Sequence, residues 1–546
     1  MAVLSVVTLL PALGTGTVLY FFALAIYRIF FHPLAKYPGP LLWKVTQWPE
    51  AKSAWQGRRH IDLHLLHEKY GDIVRFAPNK LSFRTAGAVR DVYTDRKANM
   101  VKTGWTAAGL RINPGITTHV LADRQLHAAR RRLLNNAFSE GALKNLETYV
   151  LENIRIWCNQ LAESKDGAEK SGWGKERDMS LWSTLLTVDV LGELCFGASF
   201  GAMKAGYSYI MELLLSSARF QTMVAFLPIR EFVFPLMKPQ ILMAIGNKKV
   251  KQKVMFRRDV GKLVEKRFAL EKANAEKPDS EKRKDFFHYL LHATDPQTGD
   301  KFLPKDLVGE AALLVGAGAD TSSTAMSACF FYLMRHPRAL KKLQDEVRSA
   351  FSDVEEIRYG AKLNNLPYLR ACIDEAMRMS PPVPGLLDRE LLPGGAVIDG
   401  IQVPYGTIVG VSCYALHHSE TYFPRSFEFI PERWIAGSDK SDANGLTVTP
   451  ASVEIAKSAF HPFSSGPRGC VGKNMAYMEL LIAIGRAVYL FDMRLKDGDD
   501  RGAGRSGWED GRENPDEYQL HDWLISSRDG PVLEFKPREE REVLAN

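Results

Sequence analysis

Six cysteines occur in the 546 residues, at positions 158, 195, 329, 372, 413 and 470. Five read as small buried hydrophobes. Cys470 differs, because it lies in Phe463-Ser464-Ser465-Gly466-Pro467-Arg468-Gly469-Cys470-Val471-Gly472. The thiolate, not the thiol, is a metal ligand. Its charge must be stabilised by backbone N–H groups, so side chains must stay clear; Gly466, Gly469 and Gly472 allow that approach. The same donors withdraw electron density from sulfur and tune the metal. Phe463 is placed to shield the sulfur from water, and Arg468 offers a planar fork of donors for a carboxylate. A helix expected over 475–491 puts Cys470 just before a helix amino terminus, which also favours a thiolate. A Gly-x-Cys-x-Gly turn alone usually seats an inert cysteine. The wider spacing, Phe-x-x-Gly-x-Arg-x-Cys-x-Gly, is what points to chemistry.

Three more groups stand out. Ala317-Gly318-Ala319-Asp320-Thr321-Ser322 falls in an apolar helix expected over 304–334. Glycine inside a helix costs about 1 kcal/mol relative to alanine. Serine and threonine bond back to the i−4 carbonyl and bend the helix. Glu375 and Arg378 stand three apart on one helix face, and Phe429-Ile430-Pro431-Glu432-Arg433-Trp434 adds a second arginine; an exposed ion pair is the plainer reading. His127 and Arg131 share a face of a helix expected over 127–138, with Arg130 and Arg132 beside them, and Arg389 follows a proline-rich turn.

The spacing from Phe463 to Gly472 matches the haem-thiolate signature at every marked position. With Trp55-Gln56-Gly57-Arg58-Arg59-His60 and His67-Glu68-Lys69-Tyr70-Gly71, the chain resembles the cytochromes P450, and among them fungal microsomal members of secondary metabolism. The resemblance extends to about residue 537. It implies haem b as cofactor, with Cys470 as axial ligand to the iron. It implies that Arg468, Arg131 and Arg389 bind the propionates and that Phe463, Gly466 and Gly472 shape the cysteine loop. His127 departs from the family, where many members carry tryptophan; an imidazole can still donate to a carboxylate. Glu375, Arg378 and Arg433 are implied to form a buried triad that locks the scaffold. Asp320 and Thr321 are the implied catalytic pair. Activating dioxygen needs two protons in order, so Thr321 donates and Asp320 relays protons from solvent. Arg130 and Arg132 could lie on the proximal face and meet an acidic redox partner, or simply form a solvated face.

The implied reaction is hydroxylation, epoxidation or desaturation of a lipophilic small molecule. Electrons would come from an NADPH–cytochrome P450 reductase, with cytochrome b5 as a further donor. Segments 103–118, 211–234, 313–317, 383–387 and 525–528 are the candidate pocket lining, largely apolar. Arg219, Arg230 and Arg528 could anchor a polar group there, though each reads more simply as a surface residue. A haem-thiolate isomerase or dehydratase needing no external electrons is the alternative; the intact Asp320-Thr321 pair argues against it.

These residues need elements to hold them. The hydrophobic share is 46% and the charged share 25%, which excludes collagen-like, coiled-coil and disordered classes. Net charge is +8 without a basic stripe, so a nucleic-acid partner is not expected. Few cysteines, no C-x-x-C and no N-x-S/T fit a reducing, cytosol-facing body. At roughly 150 residues per domain, the length suggests three or four domains. Motifs from His127 to Cys470 that serve one haem require instead a single large domain, mainly α with a small β-sheet region, over 46–546. Helical periodicity is clear at 150–161, 181–194 and 333–351; strands are expected at 73–76, 80–83, 394–403 and 407–412. Residues 2–27 carry no charge and are long enough to span a bilayer. Arg28, His32 and Lys36 follow, which places the body on the cytoplasmic side. A single-pass anchor in the endoplasmic reticulum membrane is expected, then a proline-rich hinge over 28–45. Polar stretches at 163–177, 271–285 and 496–517 read as surface loops.

Overall fold

Apolar residues at three- and four-residue spacing wind most of the chain into helices. A computed structural model describes residues 2–103, 117–163, 172–207, 218–237, 239–246, 248–438 and 445–538. Helix α1 (Ala2–Ile26) leads into a π-helical turn, Tyr27–Phe31. Over Pro11–Phe31 it is long and apolar enough to cross a membrane, with none of that window buried. The winding therefore persists into the stretch expected as hinge, and stops at Pro33, which cannot donate.

After a short helix at Trp48–Trp55, the body continues with α2 (Arg59–Tyr70) and then the expected hairpin of β1 (Ile73–Ala77) and β2 (Lys80–Phe83). Next come β3 (Met100–Lys102), α3 (Arg124–Ala137), α4 (Glu140–Leu161), β4 (Arg177–Asp178) and α5 (Met179–Phe196). They are followed by α6 (Lys248–Ala275), α7 (Phe286–His292), α8 (Pro304–Arg335), α9 (Pro337–Ala350) and α10 (Pro367–Met379). The last third holds β5 (Arg389–Leu391), β6 (Ala396–Ile398), β7 (Ile401–Val403), β8 (Ile408–Val411), α11 (Lys473–Leu490), β9 (Phe491–Leu495), β10 (His521–Trp523), β11 (Ile525–Ser527) and β12 (Val532–Pro537). Five strands form one sheet in the order β1-β2-β8-β5-β3, with β2 and β8 parallel. The others make the sheet β4-β12-β9 and two hairpins. The architecture is mainly α with small sheets, as expected.

The core sits around α8, which packs on α5, α10, α11 and α6. Helix α5 is as apolar as a membrane span, but 83% of it is buried. It is apolar all round because it is surrounded by protein.

Local rules explain the differences from the expected elements. Helix α3 starts three residues before His127, because Asp123 caps it by accepting from the Leu126 N–H. The period over 333–351 runs across two helices; Pro337 opens α9 and α8 ends before it. The strand expected over 394–403 is the hairpin β6–β7, turning at Asp399 and Gly400, both at positive φ. Strand β5 was not expected. The stretch 271–285 is not simply a surface loop: α6 runs to Ala275, and both Glu271 and Asp285 are buried. Likewise Arg512 and Glu517 are buried within 496–517. Only the ends of 163–177 lie within the described residues.

Glu375, Arg378 and Arg433 meet as expected. Arg378 donates Nε to Oε2 and Nη2 to Oε1 of Glu375, each at 2.9 Å, and Arg433 Nε donates to Oε1 at 2.9 Å. Arg378 Nη1 also donates to the His417 and Ser426 carbonyls, and Arg433 Nη1 to that of Pro424. Both Glu375 and Arg378 are fully buried. Burial opposes ionisation of Glu375, but the two arginines outweigh it and hold its carboxyl below the usual value. Losing one partner of such a buried set costs about 3–5 kcal/mol. Arg378→Met is expected to lower unfolding stability by that amount, read from urea denaturation of the full chain; a loss below about 1 kcal/mol would mean the triad does not hold the scaffold.

Candidate active site

The loop before α11 is held by its backbone. Cys470 N–H donates to the Phe463 carbonyl at 2.8 Å, and Gly469 N–H to that of Gly466 at 3.0 Å. Gly466 has φ +66°, and a Cβ there would collide with the Tyr93 carbonyl, so only glycine fits. Cys470 is the one exposed cysteine of the six; the others are buried. Crowding pushes its thiol up, while the Gly472 N–H, Arg131 and Lys473 pull it down toward thiolate. Gly472 caps α11. Phe463 enters the loop through its carbonyl, and its ring packs against Tyr477, with centroids 5.2 Å apart.

The expected basic residues converge on this loop. Arg131 Nη1 donates to the Gly469 carbonyl at 2.6 Å. Arg468 donates to the carbonyls of Leu121 and Ala122. Arg389 is buried, donates to the Asp388 carbonyl and lies over the Tyr93 ring. His127 is buried and pushed down to about 3, by burial first and then by Arg468, Lys102, Arg131 and Arg389. Sequence reasoning missed two members of this set. Lys102, on β3, donates to the His119 carbonyl at 2.8 Å and is pushed well down by burial, Arg389, Arg468 and Arg131. His119 is pushed down to about 3 by burial and then by Lys102, Arg389, His127 and Arg468. Among the described residues, Asp123 is the acid acting on Arg468 and Asp388 the acid acting on Arg389. The cations among them thus act unfavourably on one another. The donor set fits a metal macrocycle that brings two carboxylates and takes one thiolate.

On α8, Thr321 donates Oγ1 to the Ala317 carbonyl at 2.7 Å, the i−4 back-bond expected of it. Ser323, Thr324 and Ser327 do the same to Ala319, Asp320 and Ser323. Gly318 has a packing reason as well: a Cβ there would lie 2.9 Å from Leu191 Cδ1 on α5. Asp320 is buried. Its Oδ1 accepts from Arg528 Nη1 at 2.9 Å, and its Oδ2 has no partner. Burial raises its pKa and Arg528 opposes that. Arg528 is therefore no surface residue: its side chain is 3% exposed, and it also donates to Ser323 and Thr184.

Other expectations change too. Arg130 pairs with Asp306 at 2.9 Å and Arg132 with both oxygens of Asp295, so both are engaged inside the chain rather than free for a partner. Val383, Leu386 and Leu387 line a cavity with Ala54, Phe226 and Leu524. Most of the expected lining at 103–118, and part of 211–234, lies outside the described residues. Arg219 stacks on Trp523, and Arg230 donates to the Ala225 carbonyl. Glu479 was missed. It is a buried acid on the apolar helix α11, pushed up to about 7 by burial, with a bond from Ser322 pulling the other way and Oε1 unpartnered. An acid inside so apolar a run was the available signal. Cys413, His417 and His461 also cluster, but His417 is spent: Nδ1 faces the Arg378 carbonyl and Nε2 accepts from the His461 N–H.

The sequence profile described as Cytochrome P450 matches residues 34–506. Cytochrome P450 monooxygenase AKT7 of Alternaria alternata is 35% identical over 97% of both chains. Cytochrome P450 monooxygenase fscF of Fusarium equiseti is also 35% identical over 97% of both. Cytochrome P450 monooxygenase atnE of Emericella nidulans is 33% identical over 96% of both. With an open cysteine on a glycine turn, a cationic cradle and a match along nearly its whole length, the chain belongs to the cytochrome P450 family of haem-thiolate monooxygenases.

Proposed function

We propose that this protein is a membrane-anchored monooxygenase that oxidises a lipophilic intermediate of fungal secondary metabolism, most simply by hydroxylation. The balance is substrate C–H, O2, NADPH and a proton giving substrate C–OH, water and NADP+. The electrons pass through an NADPH–cytochrome P450 reductase, with cytochrome b5 as a further donor. Haem b, when bound, supplies O–O cleavage assisted by its thiolate. The observation that carries this reading is Cys470, an exposed residue on its glycine turn, beside Arg131 and a cluster of cations with Lys102, Arg389 and Arg468 around His127. In it Cys470 ligates the iron, and Arg131, Arg389 and Arg468, with Lys102 and the two histidines near them, hold the propionates.

The protein's part in the reaction is to deliver protons. Asp320 holds an arriving proton at Oδ2, the atom with no partner, while Arg528 fixes Oδ1. Arg528 is itself tied to Ser323 and Thr184, so it positions Asp320 rather than reacting. Thr321 passes the proton on by exchanging its bond to the Ala317 carbonyl for one to the reacting oxygen. Glu479, linked to Ser322, is a second proton-holding group on the opposite helix.

Membrane attachment through residues 2–27, with the body at the cytosolic face of the endoplasmic reticulum, is supported by more than α1. Phe30, Phe31, Leu41, Leu42 and Trp48 are exposed. Trp55 packs edge-on against Trp48 and donates to the Met223 carbonyl, and Met223, Ile229 and Phe232 are exposed beyond it. Apolar side chains gathered in this way suit a lipid surface.

Three outcomes follow. Cys470→Ala is expected to abolish the thiolate-type band in the reduced carbon monoxide difference spectrum; a retained band sinks the ligand assignment. Asp320→Asn is expected to slow product formation about 100-fold, and Thr321→Ala to lower product per NADPH consumed. Unchanged coupling in both would refute the relay, and turnover without NADPH would favour the isomerase or dehydratase reading. Glu479 binds its proton more tightly folded than unfolded, so it lowers stability as pH rises from about 4.5 to about 7, by up to about 3 kcal/mol. Glu479→Gln is expected to remove that slope from urea unfolding measured across the range.

A further inference from the structure

Glu271, near the end of α6, and His288 and His292, on α7, bring three ligand atoms within 4.8 Å of one another. His288 Nδ1 lies 2.6 Å and His292 Nε2 3.2 Å from the same carboxylate oxygen, Glu271 Oε1. The imidazoles are four residues apart on one helix face, with ring centroids 4.7 Å apart. We propose that this trio is a binding site for one zinc-class divalent cation, independent of the haem, which clips the end of α6 to α7.

The surroundings prepare the site. Glu271 Oε2 is taken by Arg267 Nη2 at 2.8 Å, with Asn274 Nδ2 at 3.5 Å, so the carboxylate is fixed and Oε1 is left for the ligand position. Such outer contacts set the orientation of metal-binding side chains. Arg267 is held in turn by Asp285, which also caps α7 through the His288 N–H. Within this cluster Glu193, Glu271 and Asp285 face Arg267 and Arg283, leaving one negative charge in excess. Two imidazoles and one carboxylate select zinc or copper over calcium and magnesium, which require oxygen ligands. The His292 side chain is 60% exposed, so a cation has a way in and water can complete its shell. The Cys413–His417–His461 cluster lacks these features, since both His417 nitrogens already have partners.

A cation here would join two helices that both pack on α5 and α8, so its binding would be felt as stability. The test is calorimetric titration of the haem-loaded, full-length protein in detergent with zinc chloride, after chelator treatment. One equivalent is expected to bind, releasing protons and raising the melting temperature. His292→Ala and His288→Ala are each expected to weaken binding more than about 10-fold. In His292→Ala the haem spectrum and metal-free melting should be unchanged, because the side chain is exposed. Undiminished binding in both variants, loss of the equivalent in Cys413→Ser instead, or no stoichiometric binding by the parent protein would each overturn the proposal.

Discussion

The carboxylate of Glu375 accepts hydrogen bonds from Arg378, Arg433, the Trp434 indole and the Ile430 N–H, with no exposure to water. Buried charge is stable only when its hydrogen bonds are complete, and the scaffold obeys that constraint in several places. Glu50 is shared between Arg59 and Lys80. Arg267 is shared between Glu271 and Asp285. The loop of Cys470 differs: there burial and the neighbouring cations push Lys102, His119 and His127 down. Cations gathered in this way favour an anionic group beside them. Occupation of that cradle and stability of the fold are then linked quantities.

Helix α8 carries two duties at the same residues. It forms the centre of the core, with Gly318 admitting Leu191 of α5 and Thr187 donating to the Ala319 carbonyl. It also carries Asp320 and Thr321, the pair proposed to deliver protons. Four hydroxyl back-bonds run along this stretch, and the buried Ser323, Thr324 and Ser327 make further bonds with Arg528, Ser526 and Met179. Changes meant to probe proton delivery therefore also act on packing, and the neighbouring hydroxyls cannot be treated as independent.

Features set by local spacing were legible in the sequence: the glycine turn around Cys470, the Glu375–Arg378 pair and the hydroxyl-rich stretch of α8. Features made by distant partners were not. Arg528 lies 208 residues from Asp320, and nothing near Arg528 signals that the two meet. Arg130 and Arg132 looked free because Asp306 and Asp295 lie far along the chain. Lys102 and His119 have no motif; they matter because a short strand and a 3₁₀ turn, Thr118–Val120, carry them to the same place. The stretch 271–285 read as solvated because composition does not reveal that Glu271 and Asp285 turn inward. Residues 333–351 kept a helical period through Pro337, so periodicity joined two helices that backbone chemistry separates.

One contact at the edge of the body bears on how α1 is attached. The buried guanidinium of Arg75 donates to the Pro78 carbonyl and, through Nη1, to the carbonyl of Arg28 at 2.7 Å. Arg28 in turn donates to the Val45 carbonyl. The last turn of the apolar helix is thus bolted to the first strand, so the helix and the body tilt as one piece. A soluble version should accordingly be cut upstream of Arg28: trimming back to the prolines would strip a buried cation of an acceptor and loosen the very strand that opens the sheet.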